Sequence, residues 1–98
     1  MVHTLPDIVG AASSLPVVAN NVRTPAKWAL FTVPNVDPNS ADARVGDSFT
    51  SATRGAILRV DSQVGILFQP IGDTQYLDLS EIYVYAGSGD IVAVTYAL

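Results

Sequence analysis

Cysteine is absent from this chain. Disulfide staples, thiolate chemistry and cysteine-ligated zinc are therefore excluded. The compartment is not, because a fold that needs no disulfide is stable in any of them. Histidine, lysine and glutamate each occur once, as His3, Lys27 and Glu81. Charge is scarce overall: Asp, Glu, Lys and Arg make up 14% of the 98 residues, against about 25% in an average globular chain. No apolar run approaches the roughly 20 residues of a membrane-spanning helix. The first residues, Met1-Val-His-Thr-Leu-Pro6, lack the basic head and apolar stretch of a secretion signal. These two absences predict a soluble protein made in a cytoplasm.

The five basic residues, Arg23, Lys27, Arg44, Arg54 and Arg59, are spread along the chain, and the net charge is −4. Nucleic-acid binding and attachment to an anionic membrane both draw their affinity from grouped Lys and Arg. Neither is expected here. What the chain does have is apolar side chains, 49% of its residues. Its length suits one domain with one modest core. A small domain has much surface, and here few ionised groups cover it. Part of its apolar surface is therefore expected to meet another subunit.

Residues 1–22 read as an N-terminal arm, and residues 23–98 as a β-sandwich domain. The arm holds Leu5, Ile8, Val9, Leu15, Val17 and Val18, interrupted by Pro6, Gly10, Pro16 and Asn20-Asn21, with no sustained period. It is either a pair of edge strands or an extension lying on a neighbouring subunit, and its apolar residues favour docking. Ala26–Val33 is the first clear strand and stops at Pro34. Trp28, Leu30 and Thr32 share one of its faces, and Ala29, Phe31 and Val33 the other. Both faces are largely apolar, as in a sandwich strand with a second sheet on one side and a partner or the arm on the other.

Asn35–Asp42 reads as a loop, Ala43–Val45 as a short strand, and Phe49–Gly55 as a surface loop with one large apolar residue. Ala56–Val60 and Val64–Phe68 read as strands joined by a turn at Asp61-Ser-Gln63. Ile82–Tyr85 and Ile91–Tyr96 flank Ala86-Gly-Ser-Gly-Asp90, the strongest hairpin signal in the chain. Six or seven short strands with frequent turn signals indicate an all-β fold, a β-sandwich or barrel, with the jelly roll among them. The expected core is Leu30, Ile57, Leu67, Ile82, Val84, Val92 and Val94. The expected contact elements are the arm residues named above and an aromatic face of the last hairpin, made of Tyr83, Tyr85 and Tyr96.

Candidate chemistry is thin. His3 lies near a chain end, which rarely holds a catalytic base in place. Gly-x-Ser-x-Gly is absent, and Asp47, before Ser48, is read as capping a turn through nearby backbone. Asp37, Asn39 and Asp42 fail the helix-loop-helix calcium pattern, since Asp42 stands where Gly is required and Ser48 where Glu is required. Gly87-Ser-Gly89 lacks the Lys and following helix of a phosphate loop. Asp78 and Glu81 are read as solvated carboxylates rather than a glycosidase pair. The reading is non-enzymatic, with no cofactor and no metal site.

The second half of the chain carries a resemblance. Ala43-Arg-Val-Gly-Asp-Ser48, Ser51-Ala-Thr-Arg-Gly55, Ile71-Gly-Asp73, Asp78-Leu-Ser-Glu-Ile-Tyr-Val84, Gly89-Asp-Ile-Val92 and Val94-Thr-Tyr96 are similar, in order and spacing, to small virion proteins of tailed bacteriophages, of the head decoration or cement kind. The resemblance implies a β-sandwich or jelly-roll subunit that binds the outside of a capsid as a homodimer or homotrimer. Its partners would be itself and a major capsid protein, and it would stabilise the joints between capsid subunits. It implies no active-site residues. A receptor- or carbohydrate-binding module of a tail or head fibre is the alternative, with Trp28, Tyr76, Tyr83, Tyr85 and Tyr96 as stacking residues.

Overall fold

The computed structural model describes residues 2–10, 15–33, 42–58, 65–70, 76–87 and 90–98. The protein is all-β. Its strands are β1 (Val2–Thr4), β2 (Ile8–Val9), β3 (Val17–Val18), β4 (Pro25–Ala26), β5 (Trp28–Thr32), β6 (Ala43–Gly46), β7 (Ala56–Leu58), β8 (Ile66–Phe68), β9 (Leu77–Asp78), β10 (Tyr83–Tyr85) and β11 (Ile91–Ala97). One turn of 3₁₀ helix, Leu79–Glu81, follows β9.

One sheet runs β1-β11-β5-β8, with β2 also pairing β11. A second runs β3-β10-β6-β7, and β4 pairs β9 as a small separate ribbon. All of these pairings are antiparallel. β1 and β2 act as one interrupted edge strand along β11, bridged by a hydrogen bond from Leu5 N to Val94 O of 3.1 Å. The break falls at Pro6, which has no N–H to give to a ladder. With β1–β2 taken as one strand and the β4–β9 ribbon set aside, the strands pair first with last, second with next to last, and so on inward. That nesting, split over two sheets, is the jelly-roll order, an arrangement shared by viral capsid domains, lectins and cupins.

Side chains alternate across each strand, and the inward set fills the space between the sheets. From the larger sheet come Ala29, Phe31, Val92 and Val94; from the smaller, Ala43, Val45, Leu58 and Val84. Phe31 packs on Phe68 with ring centroids 5.4 Å apart. Ile82, Val84, Val92 and Val94 of the expected core are buried. Leu30, Ile57 and Leu67 are not. Ile57 is 41% exposed and Leu67 53%, and Leu30 is half-buried. In all three strands the apolar residue next in sequence points inward instead: Phe31, Leu58, and Ile66 with Phe68. Where both faces of a strand are apolar, ring size does not choose the face, since Trp28 points outward and Phe31 inward; the phase is set by the opposite sheet.

The expected hairpin also resolves differently. β10 and β11 lie in different sheets, so they do not form a hairpin in which one strand folds back on its neighbour. The same holds for β7 and β8. Ser88 and Gly89, and the turn at Asp61–Gln63, lie outside the described residues. The crossover is held by Asp90 N donating to Gly87 O at 2.8 Å and Gly10 N donating to Asp90 O at 2.8 Å. Gly10 lies directly on this connection. A Cβ there would overlap Gly87 O and sit 2.6 Å from Ala86 O.

The segment read as an arm lies on its own chain. β1 and β2 edge the larger sheet and β3 edges the smaller, which is the edge-strand alternative. Ile8 is buried in the core, with Leu5 and Val17 packed against it.

Two predictions follow from the strand phases and the crossover. Phe31→Ala is expected to lower stability by about 3–5 kcal/mol, whereas Ile57→Ala costs about 1 kcal/mol or less; urea denaturation of both variants checks the phase. Gly10→Ala is expected to cost about 1–3 kcal/mol by overpacking the crossover, seen as a lower urea midpoint with unchanged slope.

Candidate interaction face

Cross-strand partners share a face, so the outward side of the larger sheet can be read from its register. Leu30 pairs with Thr95 and Leu67; Trp28 with Ala97; Thr32 with Ala93; Val2 with Ala97; Thr4 with Thr95; and Val9 with Ile91. Among the described residues this face carries no ionisable side chain. Val2 is 60% exposed and Val9, like Leu67, 53%. Trp28, Leu30, Leu67 and Gln69 line a shallow hollow of about 380 Å³ in it. Leu67 and Leu30 were expected inside the core. They instead give this sheet an apolar outer surface.

The outward side of the smaller sheet differs. Tyr83 pairs with Val18 and Gly46, and Tyr85 with Arg44, which in turn pairs with Ile57. Both tyrosines are half-buried, and an arginine lies among them. Tyr96 belongs to neither outward face. It packs against the core and stacks on His3 at 5.3 Å between centroids. The expected aromatic face of Tyr83, Tyr85 and Tyr96 is therefore divided, because the two strands that carry it lie in opposite sheets. Trp28 lies on the outward side of the larger sheet and Tyr76 is exposed just before β9, so the set proposed for sugar stacking is dispersed as well.

The expected contact residues separate in the same way. Leu5, Ile8, Val17 and Tyr96 spend their apolar surface in their own core. Val9, Val18, Tyr83 and Tyr85 point outward, and Leu15 is exposed. Sequence reasoning missed the Trp28–Leu30–Leu67 surface as a unit. Its signal was present in Ala26–Val33, where both faces of the strand are apolar.

The β6–β7 connection, residues 47–55, forms a compact tip. Asp47 Oδ1 accepts from Phe49 N at 2.9 Å, and Asp47 O accepts from Thr50 N at 3.0 Å and Thr50 Oγ1 at 2.6 Å. Asp47 thus caps the turn through local backbone, as expected. Ser51 and Arg54 then exchange backbone bonds of 3.1 and 3.3 Å. Gly55 has φ of 113°, a conformation that disfavours any side chain. Arg44 Nη1 donates to Gly55 O at 3.0 Å. The turn is held by these bonds, and Phe49 stands 70% exposed on it.

Asp78 is structural. Its Oδ1 accepts from Thr24 N and Ser80 N, each at 3.0 Å, and from Ser80 Oγ at 2.8 Å. Arg23 Nε lies 3.8 Å from Oδ2. The bond to Thr24 N spans 54 positions and pins the approach to β4 onto the 3₁₀ turn. These N–H groups, Thr24 first and then Ser80, hold the carboxyl below its ordinary value of 3.8. Glu81 is exposed. No group of three or more His, Cys, Asp or Glu able to hold a metal occurs among the described residues. Of the loop considered for calcium only Asp42 is described; Asp37 and Asn39 lie outside the described residues. No described helix is long and apolar enough to cross a membrane.

A carboxyl whose acidity rises on folding adds stability above its unfolded value, and loses it as pH falls through its lower folded value. Asp78→Ala is therefore expected to melt below the native chain at about pH 7, with the gap closing below about pH 4. Thermal melts across that range, followed by circular dichroism, check the sign. Comparison of the chain with protein-family models, with curated proteins and with solved structures finds no match.

Proposed function

We propose that this chain is a non-enzymatic structural subunit that associates with itself and decorates the outside of a virus capsid. The observation that carries the reading is the outer face of the larger sheet, apolar and free of ionisable side chains among the described residues. Each copy bears a net charge of −4, so copies repel one another over most approaches. A neutral face is where that repulsion is least and apolar burial gains most.

The scale suits such an interface. The molecule measures 38 × 25 × 21 Å, and a broad side of it matches the roughly 800 Å² that each partner buries in a standard interface. The jelly-roll order supports a capsid setting, since viral coat domains use it, although lectins and cupins do too and a fold alone does not fix function. The likeness of residues 43–96 to phage decoration proteins favours the viral member of that group. The acidic balance suits a position away from packaged nucleic acid. The carbohydrate-binding alternative is weakened by the dispersal of its aromatic residues over separate surfaces.

Sedimentation velocity tests the core of the proposal. The native chain is expected to be oligomeric at micromolar concentration. Leu67→Asp, which places a charge in the centre of the face, is expected to weaken association about 30-fold or more, the effect of losing one central apolar contact. Co-sedimentation with undecorated capsids tests the setting. A compact native monomer that ignores capsids would refute the reading.

A further inference from the structure

We propose that the hollow of Trp28, Leu30, Leu67 and Gln69 receives the Phe49 tip of a second copy, so that copies join head to tail in a closed ring. The inference rests on the self-association reading above and names its geometry. Phe49 is the most exposed large apolar side chain among the described residues. Its backbone is held by the turn: Asp47 Oδ1 accepts from its N–H, Thr50 Oγ1 donates to Asp47 O behind it, and Gly55 takes the positive φ that closes the tip. An aromatic ring presented on an ordered turn loses little freedom on docking, which is the property of a binding anchor.

The hollow offers what that anchor needs. It is apolar, carries no ionisable side chain among the described residues, and sits on paired strands of the larger sheet. A phenylalanine is a large apolar group to bury, and the shallow hollow of about 380 Å³ is of a size to receive its ring. Charge also fits. Arg44 and Arg54 flank the tip against the single acid Asp47, so the tip is a locally positive element on a molecule of net charge −4. Among the described residues the hollow sets no like charge against it.

Tip and hollow are different surfaces, on the smaller and the larger sheet respectively. A contact between them is heterologous, and repeated contacts of that kind close into a ring or grow without limit. A ring leaves no free tip and no free hollow. The neutral strands around the hollow add the remaining contact area.

Complementation of two defective variants tests this. Phe49→Ala removes the tip and keeps the hollow; Leu67→Asp spoils the hollow and keeps the tip. Each alone is expected to sediment as a monomer at a concentration where the native chain forms one discrete oligomer. An equimolar mixture is expected to form a one-to-one dimer and nothing larger. The emission of Trp28, the single tryptophan, should shift to the blue in that mixture relative to the separate variants. If Leu67→Asp melts below working temperature, Gln69→Glu on the rim takes its place. Phe49→Ala assembling like the native chain, a mixture of folded variants that stays monomeric, or a native ladder that lengthens with concentration would each overturn the ring and leave the self-association reading standing. A native monomer would overturn both.

Discussion

The β5–β11 ladder fixes the rest of the molecule. Five registered pairs join Trp28–Thr32 to Ala93–Ala97, and the inward members, Ala29, Phe31 and Val94, are almost completely buried. Period-two alternation then leaves no freedom: with Phe31 inward, Trp28 and Leu30 must point outward. A slip of one residue would exchange the two faces of the sheet. The core, the neutral outer face and the hollow around Leu67 are three consequences of one register.

That register solves a problem set by composition. Two thin sheets enclose a small volume, and the jelly roll fills it with one inward row from each strand. The chain has more apolar residues than this volume accepts. Much of the surplus emerges on the outer side of the larger sheet and at Phe49, while among the described residues Arg44 lies on the smaller sheet, Arg23 beside Asp78, and Asp47 in the β6–β7 turn. A surface arranged in this way is poorly suited to an isolated molecule in water and well suited to one covered by neighbours.

Among the described residues, Asp78, Asp47 and Gly10 hold the path of the chain from strand to strand. Asp78 joins two segments distant in sequence by accepting from backbone N–H groups. Asp47 holds the β6–β7 tip in the same manner. Gly10 allows the first edge strand to lie against the crossover between β10 and β11. Each act closes a corner where the chain turns from one strand to the next, and corners are where backbone groups would otherwise lose their hydrogen bonds.

The all-β class, the strands read at 26–33, 43–45 and 91–96, the turn-capping of Asp47 and the surplus of apolar surface were determined by the sequence alone, because they rest on local alternation, turn chemistry and composition; the first of these strands is divided at Lys27 into β4 and β5. Tertiary structure decided the pairing. Ile82–Tyr85 and Ile91–Tyr96 look like a hairpin from within, yet they join opposite sheets, since alternation specifies a strand's two faces and not its neighbour. It likewise decided that Phe31 and Leu58 are inside while Leu30, Ile57 and Leu67 are outside. When both faces of a strand are apolar, only the shape of the opposing sheet distinguishes them, and that shape is assembled from residues far away along the chain.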